Sequence, residues 1–239
     1  MKVQSQKTVE EIKRLASADE LSLYSYVMDR AEEVSSAISN TISKAKVYDG
    51  GIVFVYGAQN SGKTIVACSL LDELSKDGLV VIPTQPNVSR PDVPKNKFYS
   101  RTGVVRKVRS FSDKNDIRSI FHKSDVVIID EIHFVPFEIQ SYLLKEIMAF
   151  VERGGWVVCI GVLLTSQGGE FLLPAVLKDR AVMVCEMTST CQKCGNRGAR
   201  FNQRLVGGRP TSSDDPELLV PSERVVYEPR CSDCYVKIG

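Results

Sequence analysis

Apolar residues recur at three- and four-residue spacing from about residue 8 to residue 46, a stretch without proline or glycine. This pattern predicts an amphipathic helix or a pair of such helices. A turn-forming VYDGG sequence follows, so we treat residues 1–48 as a helical N-terminal extension. Its apolar face either packs on the rest of its own subunit or serves in assembly with a partner.

Beyond the extension, short continuous apolar runs alternate with amphipathic segments. Continuous runs predict strands buried on both faces, and they cover 52–56, the end of the turn-and-strand segment 77–83, 124–135 and 156–164. Amphipathic helices are predicted in IVACSLLDELSK and over 138–155. The order predicts an α/β fold in which crossover helices join the strands of a parallel sheet.

The stretch VFVYGAQNSGKT contains the phosphate-binding pattern G-x-x-x-x-G-K-[ST], between a predicted strand and a predicted helix. Backbone N–H groups of such a P-loop wrap phosphate oxygens, the Lys meets the β- and γ-phosphates, and the Thr hydroxyl binds Mg²⁺. A glycine-rich turn with a chance Lys is the alternative. The predicted ATP-binding residues are Gly57, Ala58, Gln59, Asn60, Ser61, Gly62, Lys63 and Thr64.

Two acidic residues, Asp130 and Glu131, end the predicted strand SDVVIIDEIHFV. An acid at the carboxyl end of such a strand holds Mg²⁺ in P-loop enzymes, which predicts that role for Asp130 together with Thr64. The neighbouring Glu131 is placed to accept a proton from an attacking hydroxyl or water. Alternatively, Glu131 caps the following loop or pairs with a Lys.

Near residue 188 the frequency of Gly, Pro and Cys rises and the periodicity disappears. We therefore assign residues 49–187 to a P-loop nucleotide-binding domain and residues 188–239 to a small C-terminal domain. Within the latter, the segment 202–230 contains Gly-Gly, Ser-Ser and Asp-Asp pairs that suggest a mobile lid. A disordered insertion without a function is the alternative.

Four of the seven cysteines form two C-x-x-C pairs, and the other three, Cys68, Cys159 and Cys185, lie among apolar residues as small buried side chains. Paired C-x-x-C motifs in a reducing compartment predict a structural zinc site with four thiolates and no open position for catalysis. With only two histidines, a His-rich catalytic metal site is not expected. The predicted zinc ligands are Cys191, Cys194, Cys231 and Cys234.

The composition, with 43% hydrophobic and 25% charged residues and a net charge of +2, is that of an ordinary globular protein. No run approaches 18 apolar residues and the N-terminus is too polar for a signal peptide, so we expect a cytoplasmic protein without a membrane partner. The segment 84–103, with three prolines and no periodicity, is predicted to be a loop. A run of basic residues starts in this loop and consists of Lys95, Lys97, Arg101, Arg106, Lys107 and Arg109. The run either forms a solvated face or contacts phosphate.

The chain resembles the type II thymidine kinase family from about Val53 to Tyr235. Five stretches carry this resemblance: the P-loop, SRTG, the strand ending in DE-x-x-F, CQKCGNRGARFNQRL and YEPRCSDCY. The resemblance implies transfer of a phosphoryl group from MgATP to the 5′-hydroxyl of a deoxynucleoside, with Glu131 as the general base and a zinc-clamped lasso over the substrate. It also implies a homo-oligomer, either a tetramer or a dimer. The residues that match nucleoside-binding positions are Phe134, Phe171, Asn202 and Tyr227, while Arg101 lies in the SR-x-G segment.

Departures from the family pattern cluster around the expected nucleoside site. Polar residues stand where the family has other side chains, at Gln59-Asn60, His133, Ser166 and Asn202. The acid that the family has after the next strand is absent from Gly161-Val162-Leu163. PSER (221–224) stands in place of the family's lasso glycines, and Val88 stands in place of an acid before Arg90. A wetter base pocket is expected to alter nucleoside preference.

These patterns predict a thymidine kinase-like deoxynucleoside kinase. The alternative is a nucleotide-binding regulatory or scaffold protein on the same fold, which the extension and the altered base pocket suggest. A nucleic-acid-dependent ATPase, suggested only by the basic run, is the least favoured hypothesis, and we do not expect a nucleic-acid partner.

Overall fold

A computed structural model describes residues 18–45, 49–87, 96–100, 103–122, 124–211 and 225–237. The predictions for residues 1–17, for Val88, Lys95 and Arg101, and for the lid between 212 and 224 fall outside these residues. The helices of the described part are α1 (Ala18–Lys44), α2 (Lys63–Lys76), α3 (Lys114–Ile120), α4 (Phe137–Glu152) and α5 (Leu172–Arg180). None of them is long and apolar enough to cross a membrane.

The strands fall into one six-stranded sheet and three small ones. In chain order they are β1 (Gly51–Gly57), β2 (Val81–Pro86), β3 (Lys97–Tyr99), β4 (Val105–Lys107), β5 (Arg109–Phe111), β6 (Val126–Ile129), β7 (Trp156–Gly161), β8 (Met183–Met187), β9 (Ser189–Thr190), β10 (Arg197–Ala199), β11 (Phe201–Val206), β12 (Arg209–Pro210) and β13 (Val225–Arg230).

The large sheet has the strand order β5-β2-β6-β7-β1-β8, and every pair in it is parallel. Strand β7 lies between β1 and β6, with Cys159 opposite both Phe54 and Ile129. Because the strands are parallel, the P-loop after β1 and the acids after β6 emerge at the same edge of the sheet. The predicted α/β fold is confirmed.

Side chains of β1 alternate between two cores, as expected for a strand covered on both faces. Val53 and Val55 face a core shared with α1 and α2, whereas Ile52 and Phe54 face a core built largely with α4. The sheet is thus sandwiched between helical layers, and this fixes the loops at its carboxyl edge.

Helix α1 is part of the first of these cores. Its buried apolar residues recur at three- and four-residue spacing and are Val27, Ala31, Val34, Ile38 and Ile42. Two hydrogen bonds also join α1 to the C-terminal end of α2. Ser35 Oγ donates to Glu73 Oε1 at 3.0 Å, and Ser43 Oγ donates to Asp77 Oδ2, directly after the helix, at 2.6 Å. The described part of the extension therefore packs on its own subunit.

Substituting Ile38 by Ala should lower the free energy of unfolding by about 2–5 kcal/mol, because a fully buried side chain is replaced by a cavity. Chemical denaturation at equilibrium measures the change. Glu32→Ala, at an exposed position of the same helix, is the matched control and should shift the free energy by less than about 0.5 kcal/mol. An equally small effect of both substitutions would mean that α1 does not share the core in solution.

Two loop predictions are wrong. The segment 84–103 holds the end of β2 and the strand β3, which pairs with β4. The sequence did not predict β3 because its KFY run is too short to give a periodic signal. The ends of segment 202–230 are the antiparallel pair β11 and β13, with Phe201 opposite Arg230. Strand β11 went unpredicted because it buries Asn202, Gln203 and Arg204, so its sequence shows no apolar alternation.

Candidate active site

The P-loop connects β1 to α2 through Gly62, which has a φ of 90° and precedes the first residue of the helix. Asn60 also adopts a positive φ, of 62°. Left-handed residues turn successive backbone N–H groups toward one concave surface, the arrangement that binds phosphate at a helix N-terminus. The P-loop residues predicted from the sequence are thus brought into one turn above the sheet.

Lys63 folds back over this turn and is 9% exposed. Its Nζ donates to the carbonyl oxygens of Gly57 at 2.9 Å and Ala58 at 2.7 Å, and Ser61 Oγ donates to the Ala58 carbonyl at 2.8 Å. These bonds hold a positive charge inside the loop, where the predicted β- and γ-phosphates would neutralise it.

Thr64 meets Asp130 across the edge of the sheet, with Thr64 Oγ1 donating to Asp130 Oδ2 at 2.9 Å. Asp130 is 2% exposed, and burial together with the charge of Glu131 raises the pKa of its carboxyl to about 7. A hydroxyl and a carboxylate at this separation supply the hard oxygen donors that Mg²⁺ prefers. The two predicted Mg²⁺ ligands therefore fit the ion.

Glu131 has a left-handed backbone, with φ 56° and ψ 37°, which is uncommon for a residue with a side chain. Two hydrogen bonds hold it there: its N–H donates to Asp130 Oδ1 at 2.9 Å, and its carbonyl accepts from the Phe134 N–H at 2.9 Å. β6 stops at Ile129, directly before the two acids that were predicted to end this strand. A strained residue at an expected catalytic position is consistent with function.

The predicted base-pocket aromatics Phe134 and Phe171 both lie next to the same imidazole. Ring centroids of His133 and Phe134 are 4.2 Å apart, and those of His133 and Phe171 are 5.6 Å apart. Both aromatic residues are half-buried. The structure thus brings these two side chains together beside the predicted base.

The other two predicted nucleoside-binding residues lie on the paired strands of the C-terminal domain. Tyr227 lies in β13 opposite Arg204. Asn202, in β11, is buried and accepts a 2.7 Å hydrogen bond from the Gln59 N–H through its side-chain oxygen. Asn202 therefore contacts the P-loop, and its role toward a nucleoside stays a prediction.

The four predicted zinc ligands form one cluster. The Sγ atoms of Cys191, Cys194, Cys231 and Cys234 all lie within 4.8 Å of one another. Those of Cys194 and Cys231 are 3.7 Å apart, close to the ~3.8 Å edge of a tetrahedron with Zn–S bonds of about 2.3 Å. The spacing and the thiol chemistry of the cluster fit a tetrahedral zinc ion.

Backbone hydrogen bonds shape both halves of the cluster. Burial acts to raise the pKa of the Cys191 thiol, but hydrogen bonds from the backbone N–H groups of Cys231, Cys194 and Lys193 outweigh it and lower the pKa to about 6. The Gln192 N–H donates to the Pro229 carbonyl at 3.0 Å and so joins the first C-x-x-C turn to the end of β13. A thiol that ionises readily is a suitable zinc ligand.

We expect Cys231→Ser to lose most of the bound zinc, with an affinity loss beyond the roughly 10- to 100-fold that changes in outer-shell partners cost. Amides of the paired strands β11 and β13 should then exchange faster, because a bound zinc ion would hold the ends of this hairpin together. Metal analysis and hydrogen exchange measure both effects. Cys185→Ser, at a half-buried cysteine in β8, is the control, and zinc retained equally in both variants would contradict the tetrad.

The remaining sequence features have structural partners. Cys68 and Cys159 are buried in the two cores, and Cys185 is half-buried. Within the basic run, Arg106 forms an ion pair with Asp72 of α2 at 2.5 Å, and Arg109 Nη2 donates to Ser119 Oγ at 2.9 Å. These contacts favour a structural role for this part of the run.

A family model described as thymidine kinase matches residues 50–235. The chain belongs to the thymidine kinase family. It is 36% identical over 120 residues to a thymidine kinase of Halobacterium salinarum (strain ATCC 29341 / DSM 671 / R1) and 33% identical over 131 residues to a thymidine kinase of Mesoplasma florum. These matches cover 50% and 55% of this chain but only 58% and 62% of the two relatives, less than two thirds of their length.

Among solved structures, a DNA replication initiation factor aligns with 77% of this thymidine kinase family member and 50% of its own chain, at 13% identity and a TM-score of 0.43. The resemblance inferred from the sequence motifs is confirmed by the family match. The matched segment includes the P-loop, both acids and all four clustered cysteines.

Proposed function

We propose that this protein transfers the γ-phosphate of ATP to the 5′-hydroxyl of thymidine or a related deoxynucleoside. The observation that carries the proposal is the contact between Thr64 Oγ1 and Asp130 Oδ2 beside Glu131, at the sheet edge where the P-loop begins, in a chain of the thymidine kinase family. This contact supports the proposal that the phosphate, metal and base functions lie around one small volume.

The P-loop residues have distinct roles in this proposal. Backbone N–H groups of residues 57–64 bind the phosphates, and Lys63 releases the loop carbonyls to meet the β- and γ-phosphate oxygens. Thr64 and Asp130 would hold Mg²⁺, which supplies charge neutralisation on the transferred group when bound. Phosphoryl transfer depends chiefly on such positioning and electrostatics.

Glu131 accepts the proton of the attacking 5′-hydroxyl. Its side chain keeps partial access to solvent, at 26% exposure, while its backbone is fixed by Asp130 and Phe134. A substrate hydroxyl reaching this carboxylate would also lie next to the Mg²⁺-binding oxygens. General-base catalysis requires that the base lie within hydrogen-bond reach of the proton.

The nucleoside base lies against Phe134 and Phe171 in this proposal, with polar groups at Gln59, His133 and Ser166 modifying the pocket. Asn202 and Tyr227 approach from the strands that a structural zinc ion would anchor. Since buried polar groups discriminate strongly among substrates that can or cannot pair with them, a preference for a nucleoside other than thymidine is compatible with the fold.

The test is incubation of the full chain with γ-labelled ATP, Mg²⁺ and single nucleosides, followed by separation of labelled monophosphates. Lys63→Ala should abolish transfer, and Lys76→Ala, at the exposed end of the same helix, should not. ATP binding without transfer to any nucleoside would contradict the kinase proposal. That result, with a stable partner recovered with the protein, would favour the regulatory or scaffold alternative.

A further inference from the structure

His133 is a buried imidazole between the proposed base and the end of strand β7. Its side chain is 7% exposed, and its Nε2 lies 3.6 Å from Glu131 Oε2. His133 belongs to the 3₁₀ turn Ile132–Phe134, and this turn brings its imidazole close to the carboxylate of Glu131, two residues earlier in the chain. In the sequence, His133 stands out only as a polar departure from the family pattern in the base pocket.

The other ring nitrogen identifies the tautomer. His133 Nδ1 accepts a hydrogen bond from the Val162 N–H at 3.2 Å. A backbone N–H can only donate, so Nδ1 carries no proton while this bond exists, and the neutral ring carries its proton on Nε2. The contact to Glu131 is therefore an N–H directed at a carboxylate, rather than a pair of full charges.

The end of β7 provides the space that the ring requires. A Cβ on Gly161 would lie 3.0 Å from His133 Nδ1 and 2.9 Å from Ile132 Cγ2, so a larger residue would push the turn away. The rings of Phe134 and Phe171 also pack near the imidazole. Backbone, glycine and aromatic contacts together fix the direction of the Nε2–H.

We infer that His133 is a positioning residue: its Nε2–H orients the Glu131 carboxylate toward the substrate hydroxyl. This inference rests on the proposed function, because Glu131 is the base only in that proposal. The separation of 3.6 Å exceeds a hydrogen bond, and catalytic hydrogen bonds that are long in a substrate-free protein commonly tighten when the substrate binds. His133 itself exchanges no proton with the substrate.

The kinetic test compares an apolar with a polar substitution. His133→Leu removes both the N–H donor and the acceptor of the Val162 N–H, whereas His133→Gln keeps an N–H near the position of Nε2 and an amide oxygen that can accept. We expect Leu to lower kcat about 10- to 100-fold with little change in the KM for nucleoside, since misplaced catalytic groups cost rates of this order. Gln should restore most of the loss. His122→Gln, at an exposed histidine, is the control.

A double substitution separates orientation from packing. In a Glu131→Gln background, His133→Leu should cause no further loss of kcat, because its effect passes through the carboxylate. Losses that multiply instead would overturn the inference. So would a His133→Leu variant with a raised KM and unchanged kcat, which would place the imidazole in nucleoside binding.

A measurement without turnover keeps this inference distinct from the proposed function. The chain has two histidines, so nitrogen-15 NMR of the wild type and His122→Gln assigns the His133 ring. The inference expects the Nε2–H tautomer and a shift of the Nε2 resonance in Glu131→Gln. A wild type without nucleoside kinase activity would end the proposed function, whereas a protonated Nδ1 or an unmoved Nε2 would overturn the positioning role even in an active kinase.

Discussion

Glu131→Gln is expected to lower kcat for nucleoside phosphorylation by about two to four orders of magnitude, the range attributed to a positioned general base. The amide has nearly the shape of the carboxylate but cannot accept the proton. Because P-loop and metal ligands are untouched, the KM for ATP should change little. Single-turnover measurements with labelled ATP separate the chemical step from binding.

The fold should tolerate this substitution, which makes the result interpretable. Glu131 is partly exposed and its strained backbone is held by main-chain bonds that Gln retains. Removing its charge also relieves repulsion of the buried Asp130. Glu138→Gln, at an exposed position in the first turn of α4, is the control. Unchanged turnover in Glu131→Gln would mean that another group takes the proton.

Asp130→Asn is expected to stabilise the Mg²⁺-free protein by up to about 4 kcal/mol at pH 8. Burial and the Glu131 charge raise the pKa of this carboxyl from 3.8 to about 7, so ionising it in the folded state is costly. The folded chain holds this proton between about pH 4 and pH 7, whereas the unfolded chain does not. The contribution of Asp130 to the stability of the wild type should therefore fall as the pH rises through this window and level off above it.

Denaturant titrations at several pH values in buffer without Mg²⁺ measure this difference. Asp130→Asn should flatten the dependence between about pH 4 and pH 7, and the two proteins should become similar toward pH 4. Asp179→Asn, which removes an exposed carboxyl, should follow the wild type. A stability advantage of Asp130→Asn over the wild type that does not grow from pH 5 to pH 8 would show that Asp130 is ionised cheaply. Added Mg²⁺ should stabilise the wild type more than Asp130→Asn, because the ion binds the ionised carboxylate.

The sheet and the phosphate-binding elements were predictable because their signals are local. The centres of β1, β6 and β7 are continuous apolar runs, and each is buried on both faces. The P-loop signal lies within eight residues, and its glycine, lysine and threonine each serve a known backbone or charge requirement. The spacing of the cysteines likewise predicts their cluster without knowledge of the intervening chain.

Features that depend on distant contacts could not be predicted in this way. The role inferred for His133 depends on the Val162 N–H, 29 positions along the chain. Strand β11 is stabilised by pairing with β13 and by buried polar side chains, so its own residues resemble a loop. Asn202 meets Gln59 across 143 positions. Periodicity and motif spacing carry no information about such pairs.

Helix α1 also changes what counts as the smallest independent unit of this protein. The family match begins at residue 50, yet Val27 of α1 lies against the P-loop, where a Cβ on Gly62 would be 2.9 Å from its Cγ1. A chain trimmed to the matched segment would expose the apolar surface of α2 to water and remove the contact of Val27 with the P-loop. The boundary drawn by homology therefore cuts through a folding unit, and expression of the shortened chain should yield an aggregation-prone protein.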